Sequence, residues 1–131
     1  MRAPRTARRG VEINSRTFVH AVADAIDGIR QAFVDQPNFR VQVFLGVVAI
    51  ALAALLRFNV ERWTVLALVI GSVLAAELFN TCLEHMVDLV QPDSHPLARA
   101  AKHAGAGAVL VVSLMALFAG IYLYGSALLA K

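Results

Sequence analysis

Three apolar runs dominate this sequence, and a chain of 131 residues could not bury all of them in one water-soluble core. They extend from Val41 to Leu56, from Trp63 to about Ala76, and from Ala104 to Leu129. In total 59% of the residues are hydrophobic and 16% are charged, whereas soluble domains average about 45–50% apolar and about 25% charged residues. The sequence therefore predicts an all-α membrane protein with three transmembrane helices.

Residues that flank each run bring it to a length that fits the bilayer. A hydrocarbon core of about 30 Å requires about 20 helical residues at about 1.5 Å per residue. The first run becomes long enough when Phe39 and Phe58 are included, and the second helix continues beyond its apolar part to Val90. The last run is long enough to cross the membrane with some tilt. The expected spans are about 39–58, 63–90 and 104–129.

The segment before the first run contains a basic tail and an amphipathic helix. Residues 1–14 are rich in arginine and lack a hydrophobic period, so we expect a flexible tail. Over about 15–36 an apolar arc lies opposite polar residues, which predicts a helix at the membrane surface that is too polar to span. Burial against a soluble partner would produce the same stripe, and a signal peptide cleaved near Ala53 is a weaker alternative for the first run. The apolar arc comprises Phe18, Val19, Val22, Ile26, Ile29 and Phe33.

Basic residues are distributed unevenly along the chain. Seven arginines precede the first apolar run, and Arg99 and Lys102 follow the second helix. With a cytoplasmic N-terminus, nine of the 12 basic residues lie inside, and Arg57, Arg62 and Lys131 lie outside. The positive-inside preference favours this orientation. The basic arm suits an anionic membrane surface, and nucleic acid is the weaker alternative as its partner.

The second predicted span carries a polar face where lipid would require apolar side chains. Its members recur at spacings of three and four, which places them on one side of a helix. They are Glu77, Asn80, Thr81, Glu84 and Asp88. Counted from Trp63 at about 1.5 Å per residue, Glu77 lies about 21 Å along the helix and Glu84 about 32 Å. Glu77 is therefore expected inside the hydrocarbon, and Glu84 and Asp88 at the membrane surface.

This depth difference has chemical consequences. An ionisable side chain inside the hydrocarbon costs about 2.5 kcal/mol or more unless it is paired, so Glu77 should face a bundle interior or a watered cavity, where it could act as a general base. Glu84 and Asp88 could bind a hydrated divalent cation and a phosphate. The arrangement suits transfer of a phosphoryl group from a soluble donor to a lipid alcohol. For Asn80 and Thr81, hydrogen bonding between helices is the simpler interpretation.

The segment from Glu77 to Asp88 resembles the signature E-x-x-N-[ST]-x-x-E-x-x-x-D of the prokaryotic diacylglycerol kinase family, which are small membrane lipid kinases. His95 to Lys102 is similar to the H-P-L-A-K-x-A-K stretch of its undecaprenol kinase branch, and Gly28 and Asn38-Phe39-Arg40 are similar to further family segments. The resemblance covers roughly residues 21–125. It implies ATP-dependent phosphorylation of undecaprenol or diacylglycerol at the cytoplasmic surface of a prokaryotic inner membrane. It also implies a homotrimer with active sites between subunits.

The resemblance further assigns roles to individual residues. Glu77 corresponds to the catalytic base, Glu84 to a carboxylate that binds Mg²⁺ and the nucleotide phosphates, and Gln36 to a second metal ligand. The implied ATP-binding residues are Glu84, Asp93, Ser94, His95, Lys102 and His103. The implied substrate-binding residues are Asn38, Phe39, Arg40, Glu77, Asn80 and Asp88.

Two residues depart from the family pattern. Gln36 stands where a glutamate is usual, four residues before Arg40, and His103 stands where an aspartate usually follows the lysine. Glutamine can donate a neutral oxygen and would hold a metal with less charge, whereas imidazole is a poor ligand for magnesium. These changes leave open a weakened kinase, a different phosphoryl chemistry, or a non-catalytic homologue that serves in lipid binding or assembly. The acidic face itself favours the kinase.

Overall fold

A computed structural model describes residues 15–129, with side chains described from residue 17 onward. The predicted basic tail and Lys131 lie outside the described residues. The described part of the chain is helical throughout, apart from short connections, and contains no strand. Its helices are α1 (Ser15–Asp35), α2 (Pro37–Leu55), α3 (Val60–Val90) and α4 (Pro96–Leu129). Since α2, α3 and α4 are each long and apolar enough to cross a membrane, the predicted all-α membrane architecture with three spans is confirmed.

A tight turn joins α2 to α3. α2 ends in two backbone hydrogen bonds of 3.1 Å, which the N–H groups of Arg57 and Phe58 donate to the last turn of the helix. This pattern places Arg57 at a φ of 54°, in the left-handed region that is usual at such helix ends. Asn59 then caps α3, because its side-chain oxygen accepts the backbone N–H of Arg62 at 3.0 Å. The turn therefore reverses the chain within a few residues, and α2 and α3 are antiparallel neighbours.

α4 begins at Pro96, well before the apolar run that was expected to form its span. Proline is favoured in the first helical turn, where the N–H that it lacks would have no partner. The Nδ1 atom of His95 accepts the backbone N–H of Leu97 at 3.2 Å, which satisfies one of the free donors at this helix start. The first turns of α4 are therefore a polar extension of the span, and they carry Lys102 and His103.

α3 is the central helix of the bundle, since it packs along α4 and α2 and also contacts α1. The apolar core lies near the α2–α3 turn. There the rings of Phe58 and Tyr124 have centroids 5.0 Å apart, and the Tyr124 hydroxyl donates to the backbone oxygen of Ala49 at 2.6 Å. The polar face of α3 lies toward the opposite end of the bundle, away from this apolar core. The buried core residues are Ala53, Phe58, Leu66, Leu123 and Ala127.

α1 has three faces rather than the two that its sequence pattern suggested. The predicted apolar arc is exposed along its length, for example at Phe18 (65%) and Ile26 (59%). A narrow strip of small residues, Ala25, Gly28 and Ala32, instead lines a cavity of about 460 Å³ shared with α3. The apolar arc is thus left uncovered by the described chain, as a helix lying on a membrane surface requires.

Candidate active site

Glu77 is a buried carboxylate in the middle of an apolar helix. Only 4% of the residue is exposed. The Nε2 atom of Gln42, on α2, donates to Glu77 Oε2 at 3.4 Å. Within residues 17–129, the only salt bridge joins Lys102 to Asp88, so no cation neutralises Glu77. A carboxylate at this depth that is held only by an amide is costly, which favours a functional role over simple packing.

The sequence interpretation missed Gln42. It lies inside the first apolar run, and an amide among apolar residues of a span was the signal that could have identified it, because an unpaired polar group is costly in hydrocarbon. Its Oε1 atom is buried and accepts no hydrogen bond from the described residues. Gln42 also forms the polar end of an apolar groove of about 620 Å³ between α2, α3 and α4, which Leu45 and Leu117 help to line. The amide therefore connects this intramembrane groove to Glu77.

Asn80 and Glu84 form a second polar pair farther along the same face of α3. Asn80 Nδ2 donates to Glu84 Oε1 at 3.0 Å, and both residues are half-buried. Thr81, which is buried, donates its hydroxyl to the backbone oxygen of Glu77 at 3.0 Å. Both bonds stay within α3, so neither joins two helices of this chain. The Asn80 amide instead orients the carboxylate of Glu84.

Asp88 and Lys102 end the polar face where it reaches water. Lys102 Nζ on α4 lies 2.6 Å from Asp88 Oδ1, and both side chains are partly exposed. Exposed ion pairs contribute only about 0.2–1 kcal/mol to stability, so the importance of this pair is positional. It holds an ammonium group beside the acidic face, where such a group can bind phosphate oxygens as a point charge.

The predicted residues at the beginning of α2 lie at this same end of the bundle. Gln36 is half-buried and precedes the first turn of α2. Asn38 is exposed, Phe39 is 3% exposed, and the Arg40 guanidinium donates to the backbone oxygen of Val34 at 3.5 Å. Among the described hydrogen bonds, none joins these four side chains to the polar face of α3. Within the described part of the chain, the two predicted metal ligands, Gln36 and Glu84, therefore share no hydrogen bond.

The predicted nucleotide-contacting loop is exposed between α3 and α4. Asp93, Ser94 and His95 all lie on the surface, and the backbone oxygen of Asp93 accepts Gln91 Nε2 at 3.3 Å. Ser94 and His103 line a shallow cleft of about 300 Å³ with other residues of the first turns of α4. The structure thus places Ser94 and His103 together, beside the water-exposed end of the acidic face.

The oxygen donors present fit a magnesium ion that arrives with a nucleotide. Mg²⁺ prefers carboxylate, amide and phosphate oxygens and is often bound through only one or two carboxylates. Glu84 supplies a partly exposed carboxylate, and Asn80 Nδ2 holds that carboxylate in place by donating to its Oε1 atom. In the described part of the chain, no three His, Cys, Asp or Glu side chains lie close enough together to hold a metal ion by themselves. A site with so few protein ligands suits an ion that keeps phosphate oxygens and waters as its other ligands.

Together, the fold and the site define a small integral-membrane enzyme in which one helix carries acidic groups from a buried position, at Glu77, to an exposed one, at Asp88. A profile of the prokaryotic diacylglycerol kinase family matches residues 23–124. The chain is 33% identical to the undecaprenol kinase of Bacillus subtilis, over 83% of this chain and 85% of that protein. It is 44% identical to a diacylglycerol kinase of Synechocystis, over 71% of this chain and 54% of that protein. The chain therefore belongs to the prokaryotic diacylglycerol kinase family.

Family membership confirms the resemblance read from the Glu77 to Asp88 segment and the predicted class of enzyme, a membrane lipid kinase. The diacylglycerol kinase of Escherichia coli is a more distant relative, at 26% identity over 76% of this chain and 81% of that protein. These relatives are all named as kinases. Nothing in the comparisons favours the non-catalytic alternative that Gln36 and His103 left open.

Proposed function

We propose that this protein transfers the terminal phosphoryl group of ATP to the hydroxyl group of a membrane lipid, either undecaprenol or diacylglycerol. One observation supports this most strongly: a single face of α3 carries a buried Glu77, a half-buried Glu84 and an exposed Asp88. A lipid hydroxyl approaches from the membrane, and ATP approaches from the water. A face that extends from one environment to the other can hold both reactants.

Glu77 is the proposed general base. The hydroxyl oxygen of the lipid forms a bond to the γ-phosphorus, the bond from that phosphorus to the β,γ-bridging oxygen breaks, and ADP leaves. The proton of the hydroxyl passes to a carboxylate oxygen of Glu77. Gln42 Nε2 holds Oε2 at 3.4 Å, so the other carboxylate oxygen, Oε1, is available for the proton. Since phosphoryl transfer depends mainly on positioning and electrostatics, a fixed carboxylate is the main requirement on this side of the site.

Glu84 and Lys102 are the proposed phosphate-binding groups at the water-exposed end. Glu84, oriented by Asn80, would hold Mg²⁺, and the Lys102 ammonium would bind phosphate oxygens directly. When bound, Mg²⁺ neutralises the charge that develops on the phosphoryl oxygens. Asp93, Ser94, His95 and His103 would surround the rest of the nucleotide. A neutral His103 would not repel ATP as the usual aspartate would.

A homotrimer with active sites between subunits remains part of the proposal and is supported by the family resemblance. Asn38, Phe39 and Arg40 would contact the lipid headgroup. Gln36 makes no hydrogen bond to Glu84 within the described chain. In such an assembly the two residues could meet across subunits, which would complete the metal site.

The function can be tested with the purified protein in lipid bilayers. Radiolabelled ATP and Mg²⁺ are supplied with undecaprenol in one reaction and diacylglycerol in another. Labelled phosphate should appear in at least one lipid, and the ratio of the two rates would identify the preferred alcohol. Failure to label either lipid, with protein that remains folded and bilayer-embedded, would overturn the proposal.

Gln36→Glu should tighten metal binding. If Gln36 and Glu84 share one divalent ion, the added carboxylate should lower the half-saturating Mg²⁺ concentration, and a tenfold decrease corresponds to about 1.4 kcal/mol. Gln31→Glu, which adds the same charge on α1, is the control and should leave the Mg²⁺ titration unchanged. The effect should be non-additive with Glu84→Gln, because two ligands of one ion are coupled. Additive effects, or no change, would place Gln36 outside the metal's ligands.

The N-terminus and the loop at Asp93 are proposed to be cytoplasmic, on the prokaryotic inner membrane, because most basic residues lie on that side. Cysteine labelling of intact cells, in a Cys82→Ser background, would measure the orientation. A cysteine at position 131 should react with an impermeant reagent, whereas one at position 94 should be protected. The reverse result would place the proposed active site on the side of the membrane that cytosolic ATP does not reach, and would contradict the proposed orientation.

A further inference from the structure

Gly105 lies on α4 directly opposite Asn80 of α3. A Cβ atom added to Gly105 would overlap Asn80 Oδ1, although it would make only an ordinary contact of 3.5 Å with Leu83 Cδ2. The close approach is therefore specific to the amide of Asn80. As Asn80 now stands, no residue larger than glycine fits at position 105.

The absence of a side chain at Gly105 leaves room for the Asn80 amide to point toward Glu84. The amide is planar, so its Nδ2 atom turns toward Glu84 when its Oδ1 atom lies against Gly105, and Nδ2 donates to Glu84 Oε1 at 3.0 Å. Oδ1 is buried and accepts no hydrogen bond from the described residues. Steric fit against Gly105, rather than a hydrogen bond, is what accommodates the oxygen end of the amide.

We infer that Gly105 is a positioning residue, which sets the orientation of Asn80 and, through it, the carboxylate of Glu84. This inference rests on the proposed function, in which Glu84 binds Mg²⁺ and the nucleotide phosphates. The overlapping atom is the end of a side chain and not backbone. A methyl group at position 105 is therefore accommodated by rotation of Asn80, while α3 and α4 stay packed together. The fold survives, and the hydrogen bond from Asn80 to Glu84 is lost.

Gly105→Ala tests the inference, with Gly107→Ala as its matched control. Both replace a glycine in α4, so both change helix propensity alike. A Cβ at Gly107, however, meets nothing within 4 Å. Residues that orient metal ligands typically change affinity or activity by about 10- to 100-fold when altered. We expect Gly105→Ala to lower kcat/KM for MgATP by about that factor, and Gly107→Ala to leave it unchanged.

A spectroscopic measurement tests the positioning without relying on activity. The chain has four asparagines, so nitrogen-15 labelling of asparagine gives few side-chain amide signals. The signals of Asn80 are those that disappear in Asn80→Ala. They should shift in Gly105→Ala and stay in place in Gly107→Ala, if Gly105 is what holds the amide.

The outcomes separate this inference from the proposed function. Unchanged Asn80 signals in Gly105→Ala, equal losses of activity in both glycine variants, or shifted signals with normal kinetics would each overturn the role of Gly105. In an Asn80→Ala background, Gly105→Ala should cost nothing further, and an additional loss would also overturn it. An inactive wild-type protein would instead reject the proposed function, while the amide signals would still report whether Gly105 positions Asn80.

Discussion

Glu77→Gln should lower the rate of lipid phosphorylation by a factor on the order of 10² to 10⁴, with assembly preserved. An amide has the shape of the carboxylate but cannot accept the hydroxyl proton. Gln42 Nε2 can still donate to the amide oxygen at position 77, so the contact between α2 and α3 is retained. The measurement is the initial rate of lipid labelling in bilayers, together with the KM for MgATP, which should change little because Glu77 lies on the lipid side of the site.

Glu61→Gln is the matched control for this variant. Glu61 lies in the first turn of α3, at the opposite end of the helix, and is exposed. Glu61→Gln makes the same chemical change on the same helix but far from the proposed site, so this variant should keep the wild-type rate. A near-wild-type rate in Glu77→Gln would mean that Glu77 only packs, and a comparable loss in Glu61→Gln would show a general effect of charge on the bundle.

Glu84→Gln should lower kcat/KM for MgATP by a factor on the order of 10², and the half-saturating Mg²⁺ concentration should rise. The substitution removes the charge that would hold the metal. It keeps an oxygen that can accept the hydrogen bond from Asn80 Nδ2, which lies 3.0 Å from Glu84 Oε1 in the unsubstituted protein. A Mg²⁺ titration at fixed ATP separates weakened metal binding from a general loss of activity.

The Asn80 variant provides a second test of the Glu84 assignment. Because Asn80 donates directly to Glu84, Asn80→Ala and Glu84→Gln should not be additive when combined. An unaltered Mg²⁺ titration in Glu84→Gln would indicate that Glu84 does not hold the metal, and full additivity of the two substitutions would indicate that Asn80 acts independently of Glu84. Glu61→Gln again serves as the control for loss of a carboxylate from α3.

The helices and the polar face of α3 could be predicted from sequence because they depend on local periodicity. Apolar runs of bilayer length predict spans wherever they occur. Spacings of three and four place Glu77, Asn80, Glu84 and Asp88 on one side of α3 whatever surrounds it. The early start of α4 was not expected, since His95 and Pro96 begin the helix in a segment with no apolar run.

The partners of that polar face could not be predicted in the same way. Period assigns each residue to a face of its own helix, but it does not give the rotation and axial offset of one helix against another. Those quantities are set by the packing of side chains between helices. Only the tertiary structure therefore placed Gln42 against Glu77, Lys102 against Asp88, and Gly105 against Asn80.

The small-residue strip of α1 also shows the difference between what the sequence predicts and what the packing of helices decides. The sequence determined an amphipathic helix and predicted that its apolar arc lies on the membrane surface, but it did not indicate which side of the helix faces α3. In the structure the arc is exposed, and Ala25, Gly28 and Ala32 line a cavity shared with α3. The sequence by itself thus determined the helices and the acidic face of α3. The tertiary structure decided which faces meet, because in a membrane apolar side chains gain no preference for one another over lipid, so an apolar pattern alone does not select the partner face.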